Sequence, residues 1–190
     1  MGYDNMLALE YFKSFPYLRT DRLQLRPLEP GDAQIVYHLR SSGVVGQFIE
    51  RPRMKDEAEA EQLIEQTIDA YKRQKAIAWT GILRDGRSII GACGLNHIDH
   101  HNLRAEVGGE LLPAYWGKGI AEEAFRAIID FGFRQLGLHA IEGKVMAGNR
   151  GAIHILEKMG FEKEGHFKNY IRSAKGWKDL LVYTQFSPTK

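Results

Sequence analysis

The segment Glu106-Val107-Gly108-Gly109-Glu110-Leu111-Leu112-Pro113-Ala114-Tyr115-Trp116-Gly117-Lys118-Gly119-Ile120-Ala121 constrains this chain more than any other. It reads as a strand running into a glycine-containing turn, and the turn opens a helix with apolar positions Ile120, Ala121, Ala124, Phe125, Ile128 and Ile129. Such a junction makes an anion seat. Gly117 and Gly119 let the backbone approach a ligand closely, and the N–H groups at a helix start have no intrahelical partner. A phosphate-bearing ligand is therefore expected, although a Gly-x-Gly turn also marks ordinary tight turns.

Two phosphate-binding motifs are excluded by spacing. A P-loop needs Gly-x-x-x-x-Gly-Lys-Ser/Thr, and Lys118-Gly119-Ile120 has no hydroxyl for Mg²⁺. A dinucleotide fingerprint needs a third small residue where this chain has Glu122, and it belongs in a first parallel βα unit, whereas hairpins precede the turn here.

Around this segment, antiparallel hairpins come first and strand–helix–strand–helix–strand follows. Arg22-Leu23-Gln24-Leu25-Arg26 alternates as a half-buried strand, and a short helix is expected from Asp32 to about Arg40. Asp56 and Glu59 form a capping-box signature before the stripe Ala60, Leu63, Ile64, Ile68 and Tyr71. Ile77 to Leu83 and Ser88 to Leu95 read as a hairpin around Asp85-Gly86. The polar run His97-Ile98-Asp99-His100-His101-Asn102 reads as a solvated loop; its contiguity argues against a zinc site, and no metal is expected. Gly137 should stop the central helix, His139 to Met146 supplies a strand, Asn149 caps a further helix ended by Gly160, and two strands close the chain around Ser173-Ala174-Lys175-Gly176. The expected fold is α+β, with a mixed but mostly antiparallel twisted sheet of about six to seven strands and about four helices.

Residues 1–18 are rich in aromatics without a clean period and read as an N-terminal extension, either a short helix laid over the rest or a loose arm; 19–188 read as one domain. With 44% hydrophobic and 26% charged residues, the composition suits a chain that buries one core. A net charge of +2 without long runs of one sign requires neither nucleic acid nor an anionic membrane as partner. No signal peptide or membrane span is read, and a cytoplasmic protein is expected. Cys93, the single cysteine, lies in an apolar run and reads as buried and inert.

Several stretches together resemble the GNAT superfamily of acetyl-CoA-dependent N-acetyltransferases, in its RimJ/RimL-type branch, named for enzymes that acetylate ribosomal-protein N-termini. They are Leu18-Arg19-Thr20-Asp21-Arg22-Leu23-Gln24-Leu25-Arg26, Gly91-Ala92-Cys93-Gly94-Leu95, Tyr115-Trp116-Gly117-Lys118-Gly119-Ile120-Ala121-Glu122-Glu123-Ala124, Asn149-Arg150-Gly151-Ala152-Ile153, and Leu156-Glu157-Lys158-Met159-Gly160-Phe161. The resemblance spans about residues 18 to 186 in the family's order and spacing. It implies a splayed cofactor cleft, with the pyrophosphate of acetyl-CoA on the amides of about Gly117, Lys118, Gly119, Ile120 and Ala121, and the pantetheine arm along Leu111 and Leu112. Trp116 stands where the general pattern has Gln or Arg. Asn149 matches the residue that contacts the cofactor near its amide or thioester end, and a plain helix N-cap accounts for it equally well.

Direct acetyl transfer needs an unprotonated amine, so a carboxylate beside the cleft suits the base role. Glu106 and Glu110 share one face of the strand by period two, and Ala105-Glu106-Val107 resembles the segment that carries the catalytic glutamate in several family members. Glu106 is the first candidate and Glu110 the second, against the alternative that each faces solvent or pairs with a cation such as Arg104. His97 and His154 are more remote candidates for a relay. The family's acid positions, a tyrosine or a serine, are Leu156 and Ala152 here, so no acid is assigned. The expected partners are acetyl-CoA and a primary amine, either a protein N-terminus or a small molecule such as an antibiotic, polyamine or amino acid. A non-catalytic acyl-CoA sensor is the alternative, and a homodimer is left open.

Overall fold

A computed structural model describes residues 6–49, 51–85, 88–173 and 176–188. Gly86 of the expected hairpin turn, Ala174 and Lys175 of the last turn, and residues 1–5 of the extension lie outside them.

The chain forms strands β1 (Leu18–Arg19) and β2 (Leu23–Pro27), helices α1 (Ala33–Ser41) and α2 (Glu57–Lys72), strands β3 (Ile77–Leu83), β4 (Ile89–Asp99) and β5 (Arg104–Leu111), helix α3 (Ile120–Asp130), strand β6 (Ala140–Met146), helix α4 (Arg150–Lys158), and strands β7 (Glu162–Ser173) and β8 (Gly176–Phe186). The strands make one eight-stranded sheet in the order β1-β2-β3-β4-β5-β6-β8-β7. All neighbours are antiparallel except β5 and β6. The strand beyond the expected count is β1, only two residues long.

Strand parity assigns the two sheet faces. Leu23, Leu25, Ile77, Trp79, Ala105 and Val107 point to the core that holds Ile120, Ala124 and Ile128 of α3. The opposite face meets α1 and α2, whose own cluster is Leu28, Ala33, Val36, Ala60 and Ile64. The caps form at the expected residues. Asp56 accepts from the Glu59 amide at 3.1 Å, but Glu59 answers to the Lys55 amide at 3.0 Å, one residue before the cap of a standard box. α3 continues as a π-helical turn over Phe131–Leu136, and Gly137, with φ +88°, ends it.

The N-terminal segment is laid over the sheet as a short 3₁₀ turn, Leu9–Phe12. The Ala8 amide donates to the Leu136 carbonyl at 3.0 Å, Tyr11 stacks edge-on to Phe131 at 5.0 Å, and the Trp79 indole donates to the Pro16 carbonyl at 2.7 Å. The segment expected to be a loop at 97–102 is partly strand: β4 runs through Asp99, with a bulge at 97–98 and His97 at φ +50°. The bulge breaks the alternation, so the polar residues mimic a loop. Asp99 then accepts from the amides of His101 (2.8 Å) and Asn102 (3.0 Å) and closes the turn into β5. No described helix is long and apolar enough to cross a membrane.

Candidate active site

β5 and β6 pair in parallel at only three positions, Arg104↔Ala140, Ala105↔Ile141 and Glu106↔Glu142. β5 continues to Leu111 and β6 to Met146 without further pairing between them among the described residues, so the sheet parts beyond Glu106. In the gap the β6-facing edge of β5 presents main-chain N–H and C=O groups that need partners. The splayed cleft is thus a property of the register.

The far end of the gap leads to the glycine turn. A 3₁₀ turn at Pro113–Tyr115 precedes it, and Gly117 and Gly119 adopt φ +70° and +72°, a region that costs a side-chain-bearing residue about 1–2 kcal/mol. Gly119 is the N-cap of α3, so the first-turn amides of Ile120 and Ala121 face outward without an intrahelical acceptor. The turn is held from both sides. The Trp116 indole donates to the Leu111 carbonyl at 2.8 Å. Arg22 donates to the Lys118 carbonyl at 2.8 Å and pairs with Glu123 of α3, Nε–Oε2 2.6 Å. Glu123 also accepts from the Thr20 hydroxyl and, at 2.8 Å, from the Arg22 amide. Burial pushes the Glu123 carboxyl up, and these bonds outweigh it, so it stays below its usual range. The Lys118 ammonium sits 5.8 Å from the centroid of the Tyr115 ring.

Glu106 stands at the last rung before the parting. Its carboxylate accepts from Lys144 of β6 and lies 3.3 Å from Nδ1 of His97, which the β4 bulge turns toward it. Arg104 does not reach it; that guanidinium pairs with Glu142 at 2.7 Å. On the α1–α2 face, a cleft of about 840 Å³ opens among Ala70, Lys75, Asn96, His97, Glu106 and Gly108. Gly108 is its floor, for a Cβ built there meets nothing within 4 Å.

Glu110 has the same parity but a different environment. Arg51 grips it with both terminal nitrogens, Nη1–Oε1 2.8 Å, and Arg40 of α1 adds Nη2–Oε1 at 2.9 Å. Both oxygens of the Glu110 carboxylate are thus already occupied by guanidinium nitrogens.

Asn149 caps α4 by accepting from the Ala152 amide at 3.1 Å. Leu156 is buried in the core and Ala152 packs against it, so neither family acid position carries a hydroxyl. His154, a remote candidate, is exposed on α4 with no tie to Glu106 among the described residues. Cys93 lines a small apolar cavity of about 50 Å³ between β4 and α3, and burial pushes its thiol up to about 12. His100 spends its Nε2 on the Gln74 carbonyl at 2.7 Å, and among the described residues no group of three His, Cys, Asp or Glu converges as a metal site. Lys144, Arg40, Arg51 and the Arg22–Glu123 tie were not singled out from the sequence. Lys144 alternates with Glu142 along its strand, a signal that becomes readable only once β6 is known to lie beside β5.

Comparison with known proteins agrees with this geometry. Residues 22–162 match the acetyltransferase (GNAT) domain family. The uncharacterized N-acetyltransferase p20 of Bacillus licheniformis is 36% identical over 167 residues, 88% of this chain and 94% of its own length. The spermidine N(1)-acetyltransferase of Escherichia coli (strain K12) is 31% identical over 143 residues, 75% and 74% of the two chains. The solved structure of RimL, a ribosomal L7/L12 alpha-N-protein acetyltransferase in complex with coenzyme A, superposes with a TM-score of 0.83 at 17% identity, covering 90% of this chain and 98% of that one. This chain belongs to the GNAT acetyltransferase family and is an N-acetyltransferase.

Proposed function

We propose that the protein transfers the acetyl group of acetyl-CoA directly to a primary amine, with a protein N-terminus as the acceptor and Glu106 as the base. The observation that carries this reading is the parting of β5 from β6 between a glycine turn at a helix start and a carboxylate at the last rung. The three parts fit coenzyme A: backbone along Leu111 and Leu112 for an amide-bearing arm, outward amides from Gly117 to Ala121 for a pyrophosphate, and Asn149 across the gap on α4.

Acetyl-CoA supplies the acetyl group as a thioester, already activated for acyl transfer. The acceptor enters the cleft beside Gly108. Glu106 takes the proton of its ammonium, directly or through water, and the freed amine forms the C–N bond as the C–S bond breaks. Lys144 holds the Glu106 carboxylate in place between turnovers. The acetylated nitrogen sheds its remaining extra proton to water and the thiolate takes one from water, which a thiol with an ordinary pKa near 8.5 permits. Glu106 is favoured over Glu110 because the second carboxylate is enclosed by Arg40 and Arg51.

The deciding experiment is thiol release from acetyl-CoA with a panel of peptides and small amines, run on the parent and on Glu106→Gln. The expected loss in kcat/KM is about 10²–10⁴-fold, the ordinary contribution of positioned proton transfer, with coenzyme A affinity unchanged by calorimetry. Equal rates in the two proteins at every pH would remove Glu106 from the base role. Binding of acetyl-CoA without thiol release for any amine would indicate the sensor instead.

A further inference from the structure

Beyond Gly108 the same face of β5 carries the Arg40–Glu110–Arg51 cluster. Its members are largely withdrawn from water: the side chains of Arg40, Glu110 and Arg51 are 30%, 9% and 20% exposed. Among the described residues one carboxylate faces two guanidiniums, which leaves a positive charge over. Among the described residues neither arginine has a second ionic partner. Arg51 spends both terminal nitrogens on Glu110, whereas Arg40 commits one, and among the described residues its other N–H groups have no carboxylate partner. Burial lowers the Arg40 pKa; Glu110, the next influence, raises it, and the closeness of Arg51 lowers it again. A partly desolvated surplus charge costs free energy that an incoming anion relieves.

Glu106 and the cluster lie on one face of β5, and the cleft at Glu106 reaches Gly108, midway between them. Glu110 lies four residues from Glu106 on the same face, about 13–14 Å at strand rise, and Gly108 between them leaves free space above the strand. A free amino acid, with its amine and carboxylate about 3 Å apart, cannot bridge that span. An extended peptide of about four residues can. Beyond Glu106, which meets the reacting amine, the described carboxylates nearby that further ammonium groups would need are already paired: Glu110 with the two arginines and Glu142 with Arg104.

We infer that Arg40, backed by Arg51, is a selectivity site for an acidic side chain at about the third to fifth residue of a peptide acceptor whose terminal amine lies at Glu106. This rests on the transferase reading above. The site selects peptides by charge at a distance from the reacting atoms, and it disfavours polyamines.

The test is a set of pentapeptides with a free N-terminus in which one of positions two to five is Asp, Ala or Lys, with spermidine alongside, measured as kcat/KM for thiol release by the parent protein. Asp at position three, four or five should exceed Ala by at least about tenfold and exceed Lys further, and 0.5 M salt should shrink the gap. In Arg40→Gln the Asp preference should fall below about threefold, Arg51 still holding Glu110. If that variant does not fold, the position and salt dependence in the parent decide. Equal rates for the three peptides, a preference for Lys, or spermidine as the best acceptor would overturn the inference while leaving acetyl transfer standing. Absence of thiol release with every amine would overturn the transferase reading and this inference with it.

Discussion

Trp116 donates its indole N–H to the carbonyl of Leu111 at 2.8 Å, tying the glycine turn back to the last residue of β5. A carbonyl has two lone pairs, so this bond leaves Leu111 able to accept from a ligand as well. The indole sets the angle between the strand edge and the helix start. Trp116→Phe keeps the ring but removes the donor. The expected result is a coenzyme A Kd raised about 2–10-fold, one net hydrogen bond of about 0.5–1.5 kcal/mol, with little change in melting temperature because the side chain is substantially exposed. Titration calorimetry of the two proteins reads this directly.

Two glycines near the site should respond oppositely to alanine. A Cβ at Gly91 would lie 2.2 Å from the Glu110 carbonyl oxygen and 3.0 Å from the Leu111 Cα, backbone atoms that no rotamer change can move. Gly91→Ala should cost about 3 kcal/mol or more, at the upper end of overpacking penalties, seen as a lower denaturant midpoint. Gly108→Ala meets open space and should stay within about 1 kcal/mol of the parent, yet it puts a methyl on the cleft floor and should raise the KM for the acceptor.

Asp32 gives the fold a defined acid sensitivity. It is buried at the start of α1, bonded by Arg26 Nη1 and Nη2 at 2.7 and 2.6 Å, by the Thr80 hydroxyl at 3.0 Å and by the Glu29 amide at 3.0 Å. Burial pushes the carboxyl up, and those bonds outweigh it, leaving it below the usual carboxylate value. A lowered folded-state pKa stabilises above the unfolded value near 3.9 and loses that contribution as pH falls through the folded one. Asp32→Asn should therefore cost about 2–4 kcal/mol at pH 7, near the lower end for breaking a buried pair because Arg26 keeps some solvent contact. Below about pH 4 the difference in melting temperature should narrow.

Cys93, expected to be buried, is only half-buried, and it should still react slowly. With its thiol pushed up to about 12 by burial, almost none is thiolate at pH 8, and iodoacetamide or a disulfide reagent should leave the native protein unmodified for hours. Labelling should accelerate on unfolding, so its rate follows opening of β4 against α3. Prompt reaction in the native state would show that the thiol is accessible.

Local features were readable from the sequence because their causes are local. Gly117, Gly119, Gly137 and Gly160 all take positive φ, and Asp56 and Asn149 both cap helices through their own side chains. The helix and strand boundaries that follow need only nearest-neighbour chemistry. The pairing of Glu106 with Lys144 could not be read in this way, since it depends on the parallel register of segments 38 residues apart. Arg51 comes from an irregular stretch with no period to betray its direction, and it meets Glu110 59 residues away. At His97, a left-handed residue in a bulge made a strand look like a loop.

The three rungs between β5 and β6 also bear on how the molecule holds together. Five strands, β1 to β5, adjoin the other three, β6, β8 and β7, along a seam that is largely unsewn, and the amide-bearing arm proposed to lie there would supply the missing stitches. The occupant then belongs to the folding equilibrium: at a hundred times its Kd it adds about 2.7 kcal/mol to the stability of the whole chain. Resistance to heat and proteolysis becomes a gauge of how much occupant surrounds the protein, so a cell depleted of it would hold the same polypeptide in a measurably more fragile form.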